Sequence, residues 1–242
     1  MAHSTAADVV AALQAVADPE RAQFNRRYFR TGPGEYGEGD QFLGCRVGDV
    51  RRTIKAFRLL PLDEVDALLD HPLHEVRLAG VLLLAERVPR ADAAQRADVL
   101  SRYLAGLERG AIDNWDLVDA SAAHVLGVLG DEALWTRLAS GTLWQRRAAI
   151  LATFPPLKAG DPGPSLRIAE LLLDDPHDLL HKAVGWVLRD VGTRAGAPAL
   201  LAFLDRWAPR MPRTTMRYAL EKQPDDLRRH YLGLPRQKSD RK

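Results

Sequence analysis

Apolar residues recur at i, i+3, i+4 and i+7 through "EVRLAGVLLLAERV", "WQRRAAILATF", "LLHKAVGWVLRDV" and "TMRYALEK". That spacing lays one apolar stripe along an α-helix. Alternation of β-branched residues never lasts more than a few positions, so strand signals are nearly absent. Stretches marked by Pro, Gly and Asp separate the helical ones: "DHP" (70–72), "PPLKAGDPGP" (155–164) and "DDPHD" (174–178) read as loops. The pattern predicts an all-α chain.

The four helical stretches also resemble one another. Each carries a basic residue or histidine, one spacer, then an alanine: Arg77/Ala79, Arg146/Ala148, His181/Ala183 and Arg217/Ala219. The alanines lie 69, 35 and 36 residues apart, so one slot is empty near residue 114, on "DNWDLVD". Five units with a period near 35 predict stacked helix pairs of the HEAT kind, an α-solenoid in which each unit buries its apolar face on its neighbours. Stacking of that kind curves the array and leaves a concave binding face. The expected organisation is one repeat domain over residues 1–234, followed by a basic, disordered tail, "PRQKSDRK" (235–242).

Composition narrows the class. With 242 residues, 46% of them hydrophobic and 27% charged, the chain has enough apolar content for a sizeable core. Its one cysteine, Cys45, cannot form an internal disulfide and gives no support for a thiolate metal site. No apolar run reaches the length of a membrane span, and "MAHSTAADVV" lacks the basic and apolar regions of a secretory signal. A reducing, cytoplasmic location is the expectation. Charge changes the picture further. The net value is only +2, yet residues 21–58 hold nine Arg/Lys against four Asp/Glu, and residues 205–242 hold eleven against five. Two basic ends around an acidic middle suit a polyanion held from both sides.

The repeat register singles out candidate residues. With each alanine at position 0 and Trp115 filling the empty slot, Asp119 falls at +4, Arg147 at −1 and Trp186 at +3. Lys182 and Tyr218 (both −1) and Lys222 (+3) share that sector, roughly 140° of helix circumference at about 100° per residue. Two tryptophans, a carboxylate and several cations on one face make a candidate site.

Together, "NWDLVD", "WQRRAAIL", "KAVGWVLRD" and "PRTTMRYALEK" resemble the AlkD-type DNA alkylation repair family, HEAT-like DNA glycosylases. The opening "YFRTGPGEYGEGDQFLGCRVGDVRR" (28–52) is similar to that of many members, and the resemblance spans roughly residues 8 to 234. It implies that Asp119, four residues after Trp115, is the catalytic carboxylate. It also implies that Arg147 binds phosphate, that Trp186 in the Gly185–Trp186 pair is the second site tryptophan, and that Tyr28 contacts DNA. The implied reaction is excision of positively charged N3- or N7-alkylated purines from duplex DNA, by a monomer that is nucleoid-associated when bound. The lesion would stay largely in the duplex rather than enter a base-flipping pocket. No metal or cofactor is implied. Two other readings stand beside this one: a non-catalytic HEAT-like protein binding damaged or branched DNA, and a protein scaffold, which leaves the Trp/Asp/Arg set unexplained.

Other residues have plainer readings. Asp113 and Asp116 are placed as N-cap and N3 acids of their helix. Trp135, Trp144 and Trp207 are out of phase and read as packing residues, and Arg146 as a salt-bridge former. His177 and His181 have a metal-compatible spacing without a third ligand and read as a solvated helix start. "GEYGEGD" (34–40) lacks the Lys-Ser/Thr of a phosphate loop and reads as a connection.

Overall fold

A computed structural model describes residues 4–235, so all of the predicted basic tail except Pro235 lies outside the described residues. The chain divides into two compact units, Met1–Val125 and Leu126–Lys242, with the boundary inside a helix. The first unit contains α1 (Ala6–Gln14), α2 (Pro19–Tyr28), α3 (Val47–Ile54), α4 (Leu62–Leu69), α5 (His74–Arg87), α6 (Ala93–Glu108) and most of α7 (Trp115–Leu129). The second contains α8 (Glu132–Leu138), α9 (Leu143–Ala152), α10 (Phe154–Lys158), α11 (Gly163–Leu171), α12 (Asp178–Arg194), α13 (Ala197–Trp207), α14 (Arg213–Ala219) and α15 (Asp225–Gly233). Among the described residues the only β pairing is an isolated bridge between Gln41 and Leu73. The all-α expectation holds.

Local chemistry explains many of the boundaries. Thr5 with Asp8, Asp92 with Gln95, and Thr142 with Gln145 form capping boxes that start α1, α6 and α9. In each, the cap side chain and the N3 side chain satisfy backbone N–H groups that the first helical turn leaves unpaired. The stretch read as a loop over 155–164 contains most of α10, with Pro155 and Pro156 in its first turn. Proline is tolerated there because first-turn N–H groups have no intrahelical acceptor, so its presence did not exclude a helix.

One helix in each unit is enclosed by its neighbours. In the first it is α5, buried continuously from His74 to Ala85 and packed against α3, α4 and α6. In the second it is α12, packed against α9, α13 and α14. Gly185 sets how closely α14 approaches: a Cβ there would lie 2.5 Å from Tyr218 Cβ and 2.7 Å from the Thr215 carbonyl oxygen.

The repeat has a physical basis. The marker alanines Ala79, Ala148, Ala183 and Ala219 are all buried. In three of the four helices the residue two places before binds the loop leading into its own helix: Arg77 donates to the His71 and Pro72 carbonyls, and Arg146 donates to that of Gly141. His181 Nε2 lies 2.6 Å from the Asp175 carbonyl oxygen. Ion pairs between residues 32 to 36 positions apart then link successive repeats, as in Arg102–Asp66, Arg77–Asp113, Arg167–Glu132, Arg210–Asp174 and Arg189–Glu221. The exposed pairs among them contribute only about 0–1 kcal/mol each, so they secure register more than stability.

The register itself needs correction at one unit. The alanine is the sixth residue of α5, α9 and α12 and the seventh of α14, and the sixth residue of α7 is Ala120. Spacing had put the slot near residue 114 because it assumed equal loop lengths. Trp115 is instead the first residue of α7, five places before the slot. Asp119 directly precedes the slot, the position held by Arg147, Lys182 and Tyr218 in their own helices. Lys222 is not helical, because α14 ends at Ala219 and Lys222 lies in the following turn.

Candidate active site

In the first unit the candidate residues gather at the start of α7. Asn114, rather than Asp113, immediately precedes the helix, and its Oδ1 accepts the Trp115 N–H at 2.8 Å. Asp113 and Asp116 are structural as anticipated, but through ion pairs rather than as N-cap and N3. Asp113 accepts from Arg77 at 3.1 Å, and Asp116 lies 2.8 Å from His74 Nε2. The other ring nitrogen, Nδ1, lies 2.7 Å from Asp40, which also accepts from Arg77 and Asn114.

Sequence reasoning missed this arrangement. "GEYGEGD" is more than a connection, because its last residue is the buried carboxylate that holds both His74 and Arg77. Its other acids are turned on the loop itself: Glu35 accepts the Gly32 N–H and Glu38 the Gly34 N–H, each at 2.9 Å. Burial alone would lower the His74 pKa, but the hydrogen bonds and charges of Asp116 and Asp40 outweigh it and push it up to about 9. The imidazole is therefore a buried cation at neutral pH. Burial would likewise raise the Asp40 pKa, yet His74 and Arg77 hold it below the ordinary value.

Above this cation runs an aromatic column. His74 stacks on Phe42 at 4.6 Å between ring centroids, Phe42 on Phe29 at 5.0 Å, and Phe29 on Trp115 at 5.3 Å. Tyr28 stands edge-on to Trp115 at 6.0 Å and is 55% exposed. Tyr36 bonds to the Trp115 side chain, and burial raises its hydroxyl pKa despite that bond. Trp115 thus has one ring face packed on Phe29, while its indole remains only half-buried.

Asp119 lies one turn beyond Trp115 and is half-buried. It lies near Tyr103, whose buried hydroxyl is 2.8 Å from Ser121 Oγ. Burial and, more weakly, the negative charge of Asp119 raise the Tyr103 pKa, against the Ser121 hydrogen bond.

The second unit holds the remaining candidates. Arg147 is only 5% exposed and donates to the Leu179 carbonyl at 2.6 Å, joining α9 to the first turn of α12. Lys182 pairs with Asp178 at 2.7 Å and, through that bond, holds the Asp178 pKa down. Trp186, one turn after Lys182, is half-buried with its ring 5.1 Å from Phe154. Tyr218 has its Cβ facing Gly185, so it and Trp186 belong to adjoining parts of the α12–α14 packing. Lys222 is exposed in the turn beyond.

The plainer readings largely hold. Trp135 is buried and donates its Nε1–H to the Leu126 carbonyl, and Arg146 pairs with Asp175 at 2.6 Å. Arg206 and Arg210 lie over the Trp207 ring. Trp144 is half-buried. His177 is the N-cap of α12, its Nδ1 accepting the Leu179 N–H, and His181 holds the Asp175 carbonyl.

The all-α fold thus places Asp119, Arg147, Lys182 and Tyr218 at one position of their helices, directly before the alanine slot. The family model for DNA alkylation repair enzymes matches residues 9–223, and the chain belongs to that family. A solved structure from Enterococcus faecalis, described as a predicted DNA alkylation repair enzyme, superposes with a TM-score of 0.67 at 16% identity. The match covers 86% of this chain and 97% of that one, and at this identity it speaks to the fold. No curated protein matches. Among the described residues no helix is long and apolar enough to cross a membrane.

Proposed function

We propose that the protein is a DNA glycosylase that removes positively charged N3- and N7-alkylated purines from duplex DNA. The observation that carries the reading is the pair on α7: Asp119 follows Trp115 by one helical turn, in a chain that belongs to the DNA alkylation repair enzymes. Alkylation leaves the purine cationic. When the C1′–N bond breaks, its electron pair goes to the base nitrogen and neutralises the purine. The positive charge passes to the deoxyribose. Asp119 stabilises that oxocarbenium-like sugar and orients the water that adds to C1′, whose proton is lost to solvent. The products are a neutral alkylpurine and an abasic site.

The remaining residues bind and orient. Trp115 and Trp186 each offer an indole face on which a sugar or a cationic nucleotide can pack. Arg147 takes a neighbouring phosphate, and Tyr28, Lys182, Tyr218 and Lys222 contact the backbone. Arg147 suits that role because its guanidinium is already oriented by the Leu179 carbonyl, which lowers the ordering cost of binding. The lesion stays in the duplex while its backbone is engaged, so no base-reading pocket is needed. The protein works as a monomer on double-stranded DNA. Release of methylated base from duplex DNA, compared between wild type and Asp119→Asn, tests the proposal. Tight binding without release by either protein would favour the non-catalytic damage binder.

A further inference from the structure

Four aromatic side chains, Phe24, Tyr28, Phe29 and Trp115, make a continuous series in the first unit, and its outer end has no role in the chemistry above. Phe24 and Tyr28 lie four residues apart on α2, so they share one helix face. Their rings are near-parallel, at 18°, with centroids 5.8 Å apart. Phe24 is 58% exposed and Tyr28 55%. Two large adjacent rings left half in water lose apolar burial unless a partner covers them. Tyr28 continues the series inward by its edge contact with Trp115, which in turn is stacked on Phe29.

The surroundings indicate what the partner is. Arg27 lies on the same face of α2, three residues after Phe24, and Arg30 follows two residues after Tyr28, both exposed. The charge of Arg30 is felt at Tyr36, where it opposes the burial that raises the hydroxyl pKa, which brings a cation to the Trp115 side of the series. An acidic residue, Glu20, lies one turn before Phe24, so α2 carries Arg21, Arg26 and Arg27 against one carboxylate. Aromatic faces beside arginines suit a base with its phosphate. A base inside an intact duplex has both faces covered by neighbours, so only a base that has left the stack can use the shelf.

We propose that Phe24 and Tyr28 form a shelf that stacks an unstacked nucleobase, giving the protein a preference for duplexes interrupted near the lesion over intact ones. This rests on the reading of the protein as a DNA enzyme, and it adds Phe24 as a binding residue. Nothing in the bond-breaking step requires it.

The test is equilibrium binding of two duplexes, one intact and one containing a tetrahydrofuran abasic analogue with a 2-aminopurine beside it. Wild type, Phe24→Ala, Phe24→Leu and Phe24→Trp are compared, with thermal melting to show that each is folded. The expected result is a loss of about tenfold on the interrupted duplex for Phe24→Ala and Phe24→Leu, with little change on the intact one. Phe24→Trp restores binding, and 2-aminopurine fluorescence is quenched only when residue 24 is aromatic. Equal losses on both duplexes, or no loss on either, would overturn the shelf. Base release measured in parallel separates the two ideas. Release that persists while Phe24 proves irrelevant removes the shelf alone, whereas absence of DNA binding by the wild type removes both.

Discussion

His74 Nε2 lies 2.8 Å from the Asp116 carboxylate, and Asp116 is the residue immediately after Trp115. The candidate tryptophan is therefore fixed from two directions. Its ring stacks on Phe29, while the backbone beside it is tied to a buried imidazolium that also holds Asp40. A residue expected to hold a sugar in a defined place gains from such support, because freedom lost on folding need not be lost again on binding.

That pairing makes stability depend on pH. The His74 pKa is raised from 6.5 to about 9, so its contribution is fully present below the unfolded value and is lost as pH rises through 9. The charged groups facing it are Asp40 and Asp116, with Arg77 and Asp113 beyond. The shift corresponds to a loss on the order of 3 kcal/mol. Urea denaturation at pH 6.5 and 9.5 checks this: wild type loses stability between the two, and His74→Gln loses much less. Equal losses in both proteins would contradict the assignment.

Glu75 is a second buried carboxylate with a structural task. It is 2% exposed and accepts the N–H groups of Leu43 and Gly44, each at 2.8 Å. Glu75→Ala leaves two buried donors unpaired and costs about 2–4 kcal/mol. Glu75→Gln keeps one acceptor and costs less. Chemical denaturation of the two variants measures the difference, and equal stability would show that the loop finds other acceptors.

Gly185 makes a prediction about Trp186. A Cβ at Gly185 would meet α14 backbone and the Tyr218 Cβ at 2.5–2.7 Å, distances that no rotamer change relieves. Gly185→Ala forces α12 and α14 apart, costs roughly 1–3 kcal/mol, and displaces the Trp186 indole from Phe154. A lower melting temperature with altered tryptophan fluorescence is the expected outcome. An unchanged melting temperature would mean that the two helices separate at no cost.

The sequence carried the helical class because long apolar-rich stretches run without Pro or strand-like alternation, although α5 is buried on every side from His74 to Ala85 rather than along one stripe. It carried the recurring pattern because in α5, α9 and α12 a basic residue or histidine grips the entry loop two places before a buried alanine. It misplaced Trp115 in the register because the connection before α7 differs in length from the others, and periodicity is blind to that. His74 and Asp40 were invisible for a different reason. They are 34 residues apart, and neither residue type marks burial or pairing by itself. Lys222 was assigned to a helix that stops at Ala219, since side-chain pattern alone seldom fixes a C-terminus.

The central claim is that Asp119 catalyses release of alkylated bases. The direct measurement uses duplex DNA carrying N7-methylguanine, with free base and abasic sites quantified for wild type and Asp119→Asn, alongside binding to the same duplex. The account predicts release by wild type, a fall of at least about a hundredfold in the variant, and nearly unchanged DNA binding. Equal release by both proteins, or no release by either on N7-methylguanine and N3-methyladenine alike despite tight binding, would contradict it.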